Sequence, residues 1–170
     1  MPIFEPVFSA LNGVGVRYVV VGGLAVVLHG YPRLTADVDI VLDLEPASAR
    51  KAMEALKAIG LKARAPVDPL SFADPSQRES WIADKGMMVF SLYSTVDPML
   101  ILDLFVRDPI PFEQLWSRSE TMDLGGARIH VASIDDLLVM KRAAARPQDL
   151  LDIEALEALQ KHSRQRASDA

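Results

Sequence analysis

Apolar and polar positions alternate along this chain in short blocks that each suggest an element. Residues 6–11 space their apolar side chains as a short amphipathic helix does, and Asn12-Gly13 closes it. The run Tyr18-Val19-Val20-Val21 is aromatic and β-branched, which predicts a strand over 17–21 that Gly22-Gly23 breaks. Residues 24–29 suit a helix with Gly30 as its stop. A loop containing Pro32 leads to a second strand over 37–42. Glu45-Pro46 opens a helix that continues to 59 and ends at Gly60, with proline near the first helical position. Residues 64–84 carry several prolines and aspartates and read mainly as loop. Strands are predicted over 87–93 and 99–106, then a short helix over 112–117. A hairpin follows, with strands 120–124 and 127–131 turning at Gly125-Gly126. Ser133 caps a helix that runs to about 145, with Asp135 and Asp136 in its favourable first turn. Pro147 starts a last helix whose apolar stripe is Ile153, Leu156 and Leu159.

This order predicts an α/β (α+β) fold: a small mixed sheet flanked by helices, with a C-terminal helix pair. The expected organisation is a core over 1–132, helices packed on it over 133–161, and a disordered polar tail over 162–170. With 170 residues, half of them hydrophobic, the chain is long enough for one domain with a real core. It has no cysteine, which excludes disulfides and thiolate zinc sites and suits a reducing cytoplasm. Its apolar runs are too short to span a bilayer, and its N-terminus lacks the pattern of a signal peptide. The expectation is a soluble, cytoplasmic protein with no membrane partner. A formal net charge of −5 argues against broad, purely electrostatic binding of nucleic acid.

The chemistry enters with two acids in an apolar strand. Asp37 and Asp39 alternate with Val38 and Ile40, so both carboxylates point to one face while the aliphatic side chains point to the other. Two carboxylates this close stay ionised at neutral pH at low cost only when a cation or donors lie between them. Mg²⁺ is the natural partner, because it takes carboxylate oxygens and keeps positions open for phosphates. A third acid, Asp103, stands alone in the apolar run 99–106. If that strand lies beside the first, three carboxylates converge and can hold two metal ions roughly 3.5–4 Å apart. Gly22-Gly23, between a strand and a helix, offers unobstructed backbone N–H groups to phosphate. Arg33 and Thr35 precede Asp37 and can add donors. No cysteine nucleophile, histidine triad or GxxxxGK[ST] loop is present, so these residues point to metal-assisted phosphoryl chemistry. Each feature also has a plainer reading: an Asp-x-Asp at a strand start can be an N-cap and a solvated edge residue, and a Gly-Gly is often only a turn.

Val21-Gly22-Gly23, followed after a spacer by Asp37-Val38-Asp39-Ile40, resembles the signature of the nucleotidyltransferase-fold superfamily, whose best-known member is DNA polymerase beta. That family's third acid lies on a later strand, where Asp103 stands. The segment 133–156 looks like the helix pair of a small bacterial branch that includes AbiEii-type toxins of toxin–antitoxin systems. The resemblance covers 17–159. It implies a Mg²⁺-dependent transfer of a nucleoside monophosphate from a nucleoside triphosphate to an acceptor hydroxyl on RNA, a protein or a small molecule. It places Lys141 near the phosphates, and it gives Arg146, Asp149 and Asp152 the task of orienting that lysine or tying the two helices together. The partner that branch implies is a cognate antitoxin or helical partner; toxins of the branch often carry a larger C-terminal helical region, and a shorter member could act on a small acceptor, need a partner or have lost activity. The alternative is a catalytically silent module that binds nucleotide or a partner and keeps only the fold.

Overall fold

The computed structural model describes residues 2–170. Its sheet has seven strands: β1 (Tyr18–Val21), β2 (Asp37–Leu42), β3 (Leu61–Ala63), β4 (Val89–Ser94), β5 (Ile101–Phe105), β6 (Glu120–Leu124) and β7 (Ala127–Val131), in the order β3-β4-β5-β2-β1-β7-β6. The sheet is mixed, as the sequence predicts. β2 runs parallel to β5 and antiparallel to β1, and β1 runs parallel to β7. Around it lie α1 (Glu5–Gly13), α2 (Gly22–Leu28), α3 (Pro46–Ala58), α4 (Pro75–Lys85), α5 (Phe112–Arg118), α6 (Ile134–Ala144) and α7 (Pro147–Ser168).

Alternation along the central strands decides what is core and what is site. Val38 and Ile40 of β2, Leu102 and Leu104 of β5 and Phe90 and Leu92 of β4 share one face and are buried. On that face Trp81 of α4 stacks on Phe90 with ring centroids 5.0 Å apart, and Phe8 of α1 stacks on Tyr18 at 5.9 Å. Burial of this apolar layer is the main force holding the sheet together. The odd-numbered positions of β2 and β5, which include all three aspartates, face the other way.

The structure corrects the reading of residues 64–84 as loop. A 3-10 turn over Pro69–Ala73 leads into α4, where the Asp74 side chain accepts from the Ser76 N–H and Pro75 takes the first helical position. Gly86, in the left-handed region at φ 59°, closes the helix. Asp, Pro and Gly act here as helix punctuation, and buried Arg78 and Trp81, with Ile82 packed beside them, supply the inward face. Helix α2 begins at Gly22 rather than Leu24, so the Gly-Gly pair is its first turn. Helix α7 extends to Ser168, and residues 162–168, expected to be disordered, are helical and exposed. Among the described residues, no helix is long and apolar enough to cross a membrane.

Candidate active site

Parallel pairing of β2 and β5 puts Asp39 directly opposite Asp103, with Asp37 one step away opposite Ile101. Their side chains line a cavity of about 650 Å³, a size suited to a nucleotide. Gly22, Gly23, Arg33, Thr35 and Lys141 line the same cavity, so the structure gathers every site residue singled out from the sequence. Arg146, Gln148 and Asp149 complete it from the start of α7.

The carboxylates carry excess negative charge. Burial pushes Asp39 up to about 6, and the charges of Asp103 and Asp37 push the same way, against Arg146 and Lys141. Burial also raises Asp103, although the Ser91 hydroxyl, which donates to its Oδ1 at 2.5 Å, and the charge of Arg64 act in the opposite direction. Among the described residues, no group of three or more acid, histidine or cysteine side chains is drawn together closely enough to form a ready metal cluster. The donor set nevertheless fits a hard divalent cation: all oxygen, three carboxylates on one face, and at least one of them costly to ionise without a positive neighbour.

Across the cavity, α6 and α7 carry a chain of ion pairs. Lys141 is only 5% exposed, and its Nζ lies 2.8 Å from Asp152 and 3.3 Å from Asp149. Asp152, fully buried, also holds Arg33 at 2.5 Å. Asp149 accepts from the Arg146 side chain at 2.7 Å and from its backbone N–H at 3.0 Å, reaching back to the helix start as an N3 acid does. Burial raises the Asp149 carboxyl, but the Arg146 bonds and the Lys141 charge outweigh it and hold it below its usual range. This network fixes the lysine against the cavity wall. It also pins the loop before β2, because Arg33 belongs to that loop.

A family model described as a nucleotidyltransferase of unknown function (DUF6036) matches residues 9–165. The chain belongs to this nucleotidyltransferase family. Among curated proteins no sequence relative matches it. Solved structures resemble this nucleotidyltransferase in fold. The lincosamide antibiotic adenylyltransferase LnuA, solved with lincomycin bound, is 18% identical with a TM-score of 0.60, covering 93% of this chain and 96% of its own. The antibiotic-resistance factor ANT(2'')-Ia is 12% identical with a TM-score of 0.58, covering 99% and 92%. An antigenic nucleotidyltransferase-like protein from Paracoccidioides brasiliensis is 18% identical with a TM-score of 0.57, covering 93% and 75%. The shared fold confirms the mixed sheet expected from the sequence, and the family makes the chain an enzyme of the nucleotidyltransferase class.

Two features of the candidate site are not legible in the sequence. Ser91 owes its place to tertiary pairing, since β4 runs beside β5 with Ser91 opposite Asp103. Alternation along 89–94, polar Ser91 between buried Phe90 and Leu92, was the available signal. Gly22 has a second task beyond baring its N–H. Its φ is +66°, and a Cβ there would collide with the Asp39 carboxylate. Gly22→Ala is therefore expected to destabilise the fold by about 2–4 kcal/mol and to cut transfer by about 100-fold or more, since both the left-handed backbone and the displaced Asp39 oppose it. Urea melts and initial rates on the purified variant check both. An unchanged rate would mean that Asp39 does not act from this position.

Proposed function

We propose that this nucleotidyltransferase moves a nucleoside monophosphate from a nucleoside triphosphate to an acceptor hydroxyl in a Mg²⁺-dependent reaction. The observation that carries the reading is the register of β2 against β5, which sets Asp39 opposite Asp103 in the cavity that Gly22, Gly23 and Lys141 also line. Asp37, Asp39 and Asp103 would hold two divalent cations. When bound, such ions supply the positive charge that neutralises the triphosphate and lowers the cost of ionising the acceptor hydroxyl.

The protein's own groups do the rest. Asp103, with its raised carboxyl, accepts the hydroxyl proton. The acceptor oxygen bonds to the α-phosphorus, the bond from that phosphorus to the bridging oxygen breaks, and pyrophosphate leaves. Gly22 and Gly23 present backbone N–H groups to the phosphates, and Lys141 offsets their charge from the opposite wall. Thr35, whose hydroxyl donates to the Asp37 carbonyl at 3.1 Å, and Arg33, engaged by Asp152, shape the entrance and support this set.

The second reading, a silent nucleotide- or partner-binding module such as one half of a toxin–antitoxin pair, is favoured by the acids not forming a ready group of three among the described residues. Pyrophosphate release separates the two. The protein with Mg²⁺, each nucleoside triphosphate and a mixed acceptor pool of RNA, protein and small molecules is expected to release pyrophosphate. The release should stop with EDTA and return with added Mg²⁺. Nucleotide binding by calorimetry without pyrophosphate under any condition would favour the silent module.

A further inference from the structure

Two rows of side chains cross the sheet on the face that bears the aspartates, and strand register sets both. Ser91 of β4 lies opposite Asp103, and Tyr93 lies opposite Ile101. Lys62 of β3 lies opposite Tyr93. Arg64 continues that register, its backbone N–H donating to the Ser91 carbonyl at 3.0 Å. Residues paired across strands share a face. One row therefore runs Arg64, Ser91, Asp103, Asp39, and the next runs Lys62, Tyr93, Ile101, Asp37. Each row starts with a cation at the sheet edge and ends with a carboxylate of the site. With strands about 4.8 Å apart, the edge cations stand roughly 10 Å from the strand that carries Asp103.

Between the two ends lie the Ser91 hydroxyl, the exposed Tyr93 ring and half-buried Ile101. Lys57 nearby is paired with Asp68 at 3.2 Å, whereas Lys62 and Arg64 form no ion pair among the described residues. The aspartates at the other end are assigned to metal, so the charges left to meet an acceptor along these rows are positive. A guanidinium suits the forked oxygens of phosphate or carboxylate.

We propose that the acceptor carries a phosphate or carboxylate group, held by Arg64 and Lys62 while its hydroxyl lies at Asp103 and its body rests on Tyr93 and Ile101. This inference rests on the transferase reading above and adds the acceptor's charge to it. Basic residues on an edge strand also deter sheet-to-sheet association. That role alone requires no acceptor and leaves every acceptor KM unmoved when the charges are removed.

The test uses the full chain, Mg²⁺ and α-labelled nucleoside triphosphates with acceptors in matched pairs. Ribose 5-phosphate is set against ribose, and gluconate against glucose. A short RNA with a free 3′ hydroxyl and an aminoglycoside complete the panel. Transfer to an anionic acceptor is expected at least about tenfold more efficiently than to its uncharged twin, the size of a charge-assisted hydrogen bond. In the variant with Arg64→Gln and Lys62→Gln, the KM for that acceptor should rise by about tenfold. Its KM for the nucleotide should stay within about twofold, since neither residue lines the cavity, and Lys62→Gln alone should also keep kcat within about twofold. Label on the sugar phosphate or the RNA tells which source supplies the anion. Equal or better transfer to neutral acceptors or the aminoglycoside would overturn the inference, as would an unmoved acceptor KM in the variant. Pyrophosphate release that needs Asp39 reports the transferase reading by itself. If it holds and the charge preference does not, only the acceptor inference falls. If no acceptor elicits pyrophosphate, both fall together.

Discussion

Asp39→Asn is expected to abolish transfer while making the metal-free protein more stable. The two effects come from one carboxylate. Asp39 lies opposite Asp103 and beside Gly22, where it serves as a metal ligand in the proposed mechanism. Removing its charge should lower the rate by on the order of 10³-fold or more, the scale seen when a main electrostatic group leaves an active site. The same charge opposes folding. Burial and two like charges raise the folded-state carboxyl to about 6. An acid whose folded pKa is raised favours the native state when protonated. That contribution is present at low pH and is lost as pH climbs from the usual carboxylate value towards 6. At neutral pH the full penalty stands, about 1–3 kcal/mol, and asparagine removes it. Thermal unfolding in EDTA should therefore show a higher midpoint for Asp39→Asn, by about 2–4 °C per kcal/mol for a chain of this size. Added Mg²⁺ should raise the wild-type midpoint and leave the variant unmoved. A variant that melts earlier in EDTA would show that the carboxylate is held by favourable contacts, and the account of an overcharged site would not stand.

Asp152→Ala is expected to be among the most damaging single substitutions in the chain, although Asp152 does not line the cavity. Its buried carboxylate is shared by Lys141 at 2.8 Å and Arg33 at 2.5 Å. Alanine leaves the buried lysine with Asp149 alone at 3.3 Å and leaves Arg33 with no acid. Breaking a buried pair from one side typically destabilises by about 3–5 kcal/mol, because a desolvated charge stays behind. Urea denaturation should show the loss. Adding Lys141→Met to Asp152→Leu should recover much of the stability, since an apolar pair of similar volume replaces the ions. Transfer should not return in that double variant, because the cationic wall is gone. Recovery of activity with the stability would mean that Lys141 is purely structural.

Much of this fold was legible because its strands alternate cleanly. Asp37–Leu42 and the hairpin around Gly125-Gly126 stand where the pattern puts them. The candidate acids stand out for a related reason: an aspartate in an apolar strand has few explanations, and three of them share a face here. Helix α4 was missed because Asp74, Pro75 and Gly86 are equally at home in loops, and only Trp81 packing on Phe90 shows which role they play. Strand β3 is three residues long, too short to show a period. Ser91, Arg64 and Lys62 were out of reach for another reason. Their interest lies in cross-strand neighbours, and register between strands far apart in sequence is fixed by tertiary packing.

The parallel pairing of β2 with β5 has a consequence for how the chain reaches its working state. Asp39 and Asp103 belong to segments with two helices and two strands between them, and parallel strands cannot meet through a tight hairpin. Closing their contact must overcome the entropy of a long loop. A partly folded chain can own every side chain of the site and still have no place to bind a nucleotide. A chain in which that pairing is still open also leaves an edge of β2 unpaired and open to another chain. Nucleotide, by binding only the finished sheet, would pull folding forward and close that edge.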